Sequence, residues 1–463
     1  MSGPLWTSAE IEAATGGTAT APFEVTGVTF DSREVEPGFL FVAMPGTVAD
    51  GHDFVARAFE KGAVAALVSR PVEGVHVLVD DVPAALEALA VASRARMTGK
   101  VFGVTGSVGK TSTKEALAAA LARRHPGKVH HSVKSYNNHT GVPLSLARMP
   151  RDSVYGVFEM GMNNRGEIAA LTRLVRPHVA LVTAIAPAHI ENLGSMEAIA
   201  DAKGEIFEGL EPDGTAIIPN DTPYRDRLLK AARRHAETSV TFGSGDADVT
   251  ALHAVRGDKG GSLVTARLQS ADLTFTIAQP GEHWVGNSLA VLAAVDAAGA
   301  DLAAAGLALG DMGGLKGRGE RHLVKVGGGT ALLIDESYNA NPASMAATLK
   351  TLGAERVDGR RLAVLGTMLE LGTHSDEAHA GLAPAVLDAG LAELILVGDA
   401  TRPLAQALGG KLPVTLVANA AEAADALLAR LAPGDAVLVK ASNGIGLASV
   451  VERVAGGAAS CST

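Results

Sequence analysis

The run Thr105-Gly106-Ser107-Val108-Gly109-Lys110-Thr111-Ser112 has the residue types needed to hold a polyphosphate. Gly106 and Gly109 let backbone N–H groups face an anion, and a helix N-terminus placed behind them adds positive potential. Lys110 can reach terminal phosphates, the Thr111 hydroxyl suits Mg²⁺, and Ser107 and Ser112 add hydroxyls beside them. The turn follows an apolar run, Val101–Val104, and precedes a helical pattern from Thr113 to Leu121. Val104 stands where the general G-x-x-x-x-G-K-[ST] pattern has its first glycine, so this turn is shorter. A nucleoside triphosphate with Mg²⁺ is the first expectation.

Further candidates sit at the ends of apolar runs. Glu159 ends Val154–Phe158, and a carboxylate at a parallel strand's carboxyl end can hold Mg²⁺. His189 follows the next such run, where imidazole is an unusual magnesium ligand. Ser195–Leu210 reads as one helix with Ser195 as N-cap. Its apolar stripe is Ile199, Ile206, Phe207 and Leu210, and Lys203 falls on that face. A buried ammonium needs an anionic partner or a changed charge state, unless the side chain snorkels to water. Asp335-Glu336-Ser337-Tyr338-Asn339-Ala340-Asn341-Pro342 ends another strand; Asn341 and Pro342 read as N-cap and first helical position. Asp31-Ser32-Arg33, Asp50-Gly51-His52-Asp53 and Lys316-Gly317-Arg318 are polar turns, the last a hinge able to carry a cation to the phosphates or a plain linker.

The elements that must position these residues form an α/β chain in three segments. With 463 residues, two to four domains are expected. Residues 1–98 hold short strands (Val25–Phe30, Leu40–Met44, Ala63–Val68, Val75–Val79) and helices at Phe54–Lys61 and Ala84–Arg96, a small α/β domain. Residues 99–314 carry the glycine turn, strands near Tyr155–Phe158, Val179–Ile185 and Thr215–Ile218, and a hairpin over Ser262–Ile277. That rhythm predicts a central parallel-sheet ATPase domain with a P-loop. Residues 315–463 repeat strand and helix at Ala331–Ile334, Leu362–Leu365, Leu394–Val397, Val414–Val417 and Ala436–Val439, a Rossmann-like doubly wound domain. Gly444-Ile445-Gly446 reads as a plain turn.

A formal charge of −10 without a long basic run argues against nucleic acid and anionic membranes as partners. The single cysteine, Cys461, allows no internal disulfide and fits a reducing compartment. The N-terminus lacks a signal-peptide pattern, and the longest stretch without Asp, Glu, Lys or Arg, Pro177–Ile190, is too short to span a bilayer. A cytoplasmic protein without membrane insertion is expected.

The ordered motifs resemble the Mur ligase family, the ATP-dependent amide-forming ligases of peptidoglycan precursor synthesis, and within it the MurF type. They are Asp31-Ser32-Arg33, Asp50–Phe54, Thr105–Ser112, Asn137-Asn138-His139-Thr140-Gly141-Val142-Pro143, Glu159-Met160-Gly161, Ala188-His189, Ala202–Phe207, Gly281-Glu282-His283, Asn287, Lys316-Gly317-Arg318 and Asp335–Pro342. The resemblance implies that the first domain binds a UDP-sugar, the second ATP, and the third the incoming dipeptide with part of the nucleotide. It places Gly106, Ser107, Gly109, Lys110, Thr111 and Ser112 on the phosphates, with Asn137 and Asn138 beside the γ-phosphate. It puts His283 and Asn287 at the adenine, Asp335 at the ribose with Tyr338 and Asn339 nearby, and Arg318 on a phosphate. Thr111, Glu159, His189 and Lys203 would hold metal, Lys203 as a carbamate. Lys110, Lys203, His189 and Arg318 would be the catalytic set. Asp31, Ser32, Arg33, Asp50, His52 and Asn341 would contact the substrates, UDP-N-acetylmuramoyl-tripeptide and D-alanyl-D-alanine, in a monomeric enzyme.

The sequence departs from the family pattern at Trp284, at Thr367 and at Ala441-Ser442-Asn443. The last two fall in the dipeptide domain. The Asp-Asn-Pro-Arg motif of diaminopimelate-adding relatives is absent, as is the Asn-Lys-x-Asp of GTP switches. Those absences weigh against a related ligase and against a nucleotide switch.

Overall fold

The computed structural model describes residues 3–46, 49–187, 190–257 and 260–457. Three sheets dominate it, one for each α/β segment. In the first, the parallel strands Gly27–Thr29, Phe39–Val42, Ala65–Val68 and His76–Leu78 lie in chain order, with Thr18–Ala19 antiparallel at one edge. Alternation along the strands sends Leu40 and Val42 to one core, with Leu86 and Leu89, and Phe41 and Ala43 to the other, with Val55 and Ala58. A parallel sheet covered on both faces needs such continuous apolar strands.

The middle sheet has nine strands. From one edge they are Val129–His131, Tyr155–Glu159, Lys100–Thr105, Val179–Val182, Thr215–Pro219, Thr238–Gly243, Val249–Arg256, Ser262–Arg267 and Asp272–Ile277. The first seven run parallel, and the last two form the antiparallel hairpin that their alternation predicts. Chain order reverses at Lys100–Thr105. The chain first builds Val129–His131 and Tyr155–Glu159 on one side and later Val179–Val182 on the other. Helices leaving such a strand in opposite directions open a crevice at its carboxyl end, where ligands of α/β sheets bind. The register puts Glu159 beside Val104 and Val182 beside Thr105, so three strand ends meet at that crevice.

The third sheet runs Glu320–Val326, Gly329–Glu336, Ala436–Lys440, Arg361–Gly366, Glu393–Val397, Val414–Val417, parallel except for its first strand. Leu365, Leu396 and Leu438 pack on one face against Leu349; Val364, Val397 and Val437 pack on the other against Val450. This is the doubly wound arrangement expected. Asn341 caps the following helix by accepting from Ser344 N at 2.9 Å, and Pro342 is its first residue. Among the described residues no helix is long and apolar enough to cross a membrane.

Two expectations change. Ser195–Leu210 is not one helix: Met196–Gly204 is α-helical and Glu205–Gly209 is a 3₁₀ turn. Glu205 is drawn aside, its carboxylate accepting from Gly166 N at 2.8 Å and Ala169 N at 3.2 Å, and Gly209 packs onto the Thr172 backbone. The third sheet also gains an unforeseen edge strand, Glu320–Val326. Its charged residues, Glu320, Arg321 and Lys325, hide the strand signal and suit an edge that must not recruit other strands.

Candidate active site

The phosphate-type turn has the form its glycines imply. Gly106 has φ +147° and Gly109 φ +81°, both costly for a side chain. A Cβ on Gly106 would lie 1.9 Å from Thr183 Oγ1, which itself donates to Val108 O at 2.5 Å. Ser107 N donates to Ala184 O at 2.8 Å, tying the turn to the neighbouring strand end. The helix Lys110–Ala122 starts with no side-chain cap, leaving its first N–H groups to an anion. Lys110 Nζ arches back to donate to Gly106 O at 2.8 Å. Desolvation, with Arg318 adding to it, pushes the Lys110 ammonium's pKa down, against the pull of Glu159. The Ser107 hydroxyl is buried without a partner among the described residues.

Beside this turn the strand-end acid is buried and organised. Glu159 Oε2 accepts from Thr111 Oγ1 and Oε1 from Asn137 Nδ2, each at 2.7 Å, and its backbone N donates to Ser132 Oγ. Lys203 is fully buried, and its Nζ has no hydrogen-bond partner among the described residues. Burial first, then Lys110, holds its pKa well below the ordinary lysine range, despite the opposing fields of Glu205, Glu159 and Glu167. The Lys203 side chain therefore does not snorkel, and its burial disfavours the charged form. His189, the fourth expected metal residue, lies outside the described residues.

A cleft of about 490 Å³ runs from this turn to the carboxyl end of the third sheet. Ser107, Gly109, Lys110, Thr111 and Ser112 line one side, with Asn137, Asn138 and Glu159. His283 and Asn287, on the helix His283–Ala297, line another wall. Asn287 reaches the turn so closely that a Cβ on Gly109 would lie 3.0 Å from its Oδ1. Trp284, the departure beside His283, is buried and also lines the cleft. Burial pushes the His283 imidazole's pKa down. Arg318, Tyr338, Asn339 and Asn341 close the cleft from the third domain. Arg318 stacks over the Tyr338 ring at 4.4 Å and donates to Ser135 Oγ at 3.4 Å.

Other expected residues lie off this cleft. Asp335 is 2 % exposed, and its carboxylate accepts from Gly317 N at 2.9 Å and Ser337 N at 3.0 Å. It thereby clamps the two loops that carry Arg318 and Tyr338. In the first domain, Asp31 pairs with Arg33 at 2.7 Å, which lowers the Asp31 carboxyl to about 2, and Ser32 is buried beside them. Asp50 is held well below the usual carboxylate range by the His52 backbone N–H and ring and by Arg70. His52 Nε2 accepts from Ser69 N at 3.0 Å, so both ring nitrogens are engaged within the domain.

Sequence reasoning passed over Glu336 and Lys440. Lys440 is buried, and its Nζ donates to Asn339 O at 2.8 Å and Glu336 Oε2 at 3.2 Å; both side chains line the cleft. The signal was available, since each charge ends an apolar strand of a parallel sheet. Thr367 and Ser442, in the other departures, serve the backbone: Thr367 Oγ1 donates to Val397 O, and Ser442 Oγ accepts from Leu369 N at 2.9 Å.

Comparisons with known proteins agree with this geometry. Residues 24–101 match the Mur ligase family catalytic domain, 104–295 the Mur ligase middle domain, and 317–443 the Mur ligase glutamate ligase domain. The UDP-N-acetylmuramoyl-tripeptide–D-alanyl-D-alanine ligase of Rickettsia prowazekii is 32 % identical over 97 % of this chain and 99 % of its own. A crystal structure of MurF from Acinetobacter baumannii superposes with a TM-score of 0.84 at 29 % identity, covering 97 % of this chain and 99 % of that one. MurF ligase from Thermotoga maritima, solved in complex with ADP, does so with a TM-score of 0.76 at 26 % identity, covering 94 % and 98 %.

Proposed function

We propose, from the premise that this chain belongs to the Mur ligase family, that it joins D-alanyl-D-alanine to UDP-N-acetylmuramoyl-tripeptide as ATP is cleaved to ADP and phosphate. The carrying observation is the cleft, which sets a phosphate turn, a buried strand-end carboxylate and the Arg318 guanidinium around one space.

The reaction needs no protein nucleophile. A carboxylate oxygen of the tripeptide attacks the γ-phosphorus, and the bond to the bridging oxygen of ADP breaks, leaving an acyl phosphate. The dipeptide's deprotonated amine attacks the acyl carbon, and inorganic phosphate departs as the amide forms. Two anions must meet in the first step. Lys110 and Arg318 flank the cleft from opposite domains, where they screen that repulsion and stabilise charge on the transferring group. Asn137 and Asn138 orient the γ-phosphate side, His283 and Asn287 the adenine side, and Asp335 keeps the Arg318 and Tyr338 loops in register. A closed cleft also keeps water from the acyl phosphate.

The donor set fits a magnesium ion. The Thr111 hydroxyl and Glu159 carboxylate already converge, and Lys203 brings an orphaned buried amine to the same region. A neutral amine adds CO₂ and loses a proton to become a carbamate, whose oxygens belong with a hard cation. Thr111, Glu159, carbamylated Lys203 and His189 would then hold Mg²⁺, which would neutralise phosphate charge.

On this reading residues 1–98 receive the UDP-sugar through Asp31, Ser32, Arg33, Asp50 and His52. Residues 99–314 hold ATP, and 315–463 hold the dipeptide, near Asn341, and part of the nucleotide. The charge and cysteine content support a cytoplasmic setting. The test is mass spectrometry of products from UDP-N-acetylmuramoyl-tripeptide, Mg²⁺-ATP and D-alanyl-D-alanine. A pentapeptide product, with phosphate released only when both acceptor and dipeptide are present, is expected. Phosphate release without the dipeptide product would overturn the assignment.

A further inference from the structure

Residues 132–137 touch all three domains. Ser132 Oγ and Asn137 Nδ2 both contact Glu159, the first through its backbone N–H and the second through its carboxylate. Lys134 Nζ pairs with Glu34 of the first domain, and Tyr136 Oη donates to the same carboxylate at 3.4 Å. Ser135, between them, accepts from Arg318 of the third domain.

The segment is pinned from below by a side chain the reaction does not use. Lys114, on the phosphate-turn helix one turn beyond Lys110, is wholly buried. Its Nζ donates to Ser132 O at 2.6 Å and Lys134 O at 3.0 Å and lies 2.6 Å from Glu115 Oε1. Displacing either carbonyl would leave one N–H donor of this buried ammonium unsatisfied, which disfavours any other placement of the two. Lys134 has φ +53°, a left-handed conformation held by those contacts. Lys114 fixes the Lys134 carbonyl, and Glu34 meets the pinned segment at two points, the Lys134 and Tyr136 side chains on either side of Ser135. Glu34 is itself tied to the Asp31 turn, donating from its backbone N to Asp31 O at 2.9 Å.

We infer that residues 132–137 form a relay: Lys114 anchors it as a positioning residue, and acceptor engagement at the Asp31–Arg33 turn sets, through Glu34 and Lys134, the placement of Ser135 and Arg318 at the phosphates. The relay rests on the ligase reading above, and it makes acceptor and nucleotide binding cooperative. Each ligand then tightens the other by the same factor.

Calorimetry on the full chain tests it, with a non-hydrolysable ATP analogue plus Mg²⁺, with and without saturating UDP-N-acetylmuramoyl-tripeptide. In the unaltered protein the acceptor should tighten analogue binding by about fivefold or more. Lys134→Met should bind each ligand alone within about twofold of the parent, yet lose the mutual tightening. Lys114→Met should lose it too and lower kcat more than it changes KM for ATP, and Lys114→Arg should recover part of both. If Lys114→Met fails to fold, the surface variant Lys134→Met decides alone. No tightening in the parent, or full tightening in Lys134→Met, overturns the relay. Failure of the parent to bind either ligand would refute the ligase reading instead.

Discussion

The Thr111 hydroxyl donates a 2.7 Å hydrogen bond to Glu159, joining the first turn of the phosphate helix to the end of the adjacent strand. The contact exists because Tyr155–Glu159 lies directly beside Lys100–Thr105, whose carboxyl end feeds that helix. A hydroxyl and a carboxylate held together by the sheet need no further ordering to receive a cation.

Glu159→Gln tests that function. It keeps the side chain's shape and can still accept from Thr111, but it removes the negative charge and the second acceptor, which serves Asn137. The Mg²⁺ concentration for half-maximal ADP formation is expected to rise about tenfold or more, a scale met even with outer-sphere ligand partners. A magnesium titration giving the parental midpoint would remove Glu159 from the metal set.

Lys110→Ala should cut turnover about a hundredfold or more, the usual cost of deleting a preorganised charge on a transferring group. Circular dichroism and the thermal midpoint should stay close to the parent, since the Lys110 side chain's one hydrogen bond among the described residues is to the Gly106 carbonyl. Near-normal turnover with ATP saturating would contradict its role.

For Lys203→Ala we expect near-complete loss of ligation and partial recovery on adding acetate or formate. A small carboxylate fills the space and restores the oxygens of a carbamate. Loss of activity with no recovery at any carboxylate concentration would argue that Lys203 acts as an amine.

Lys203 also sets a pH dependence of stability. Its folded-state pKa lies well below the ordinary value of about 10.4, so between the two the unfolded chain binds more protons. Stability then rises with pH across that window, and the penalty is greatest below it. Lys203→Met, in CO₂-free buffer, should be more stable than the parent at pH ~7, by about 1.4 kcal/mol per unit of depression, with the gap closing toward pH ~10. Urea denaturation at several pH values reads it. A constant gap would mean that the amine is charged in the fold.

Much of this site is visible in the sequence because its residues end apolar strands. Glu159, Asp335 and the glycine turn each follow a buried run, and topology brings strand ends together at a chain reversal. Lys203 is legible for a different reason: a charged residue on an apolar helical stripe announces an unusual environment. What the sequence leaves obscure is work done by the backbone. Asp335 reads as an open ligand-binding acid, yet it is enclosed by the Gly317 and Ser337 N–H groups, partners set by loop geometry alone. Nothing in the sequence singles out Lys114, because the carbonyls it serves belong to a loop about twenty residues away whose path no periodicity encodes. Glu320–Val326 is masked by its charges, which are the mark of an edge and also of a loop.

A Cβ on Gly106 would fall within the volume of the Thr183 hydroxyl. Any larger residue at position 106 therefore evicts Thr183 and frees the Val108 carbonyl it holds. This end of the cleft therefore tolerates no added side-chain volume at position 106, whereas His283 and Asn287 stand on a separate helix whose Asn287 abuts Gly109 of the same turn.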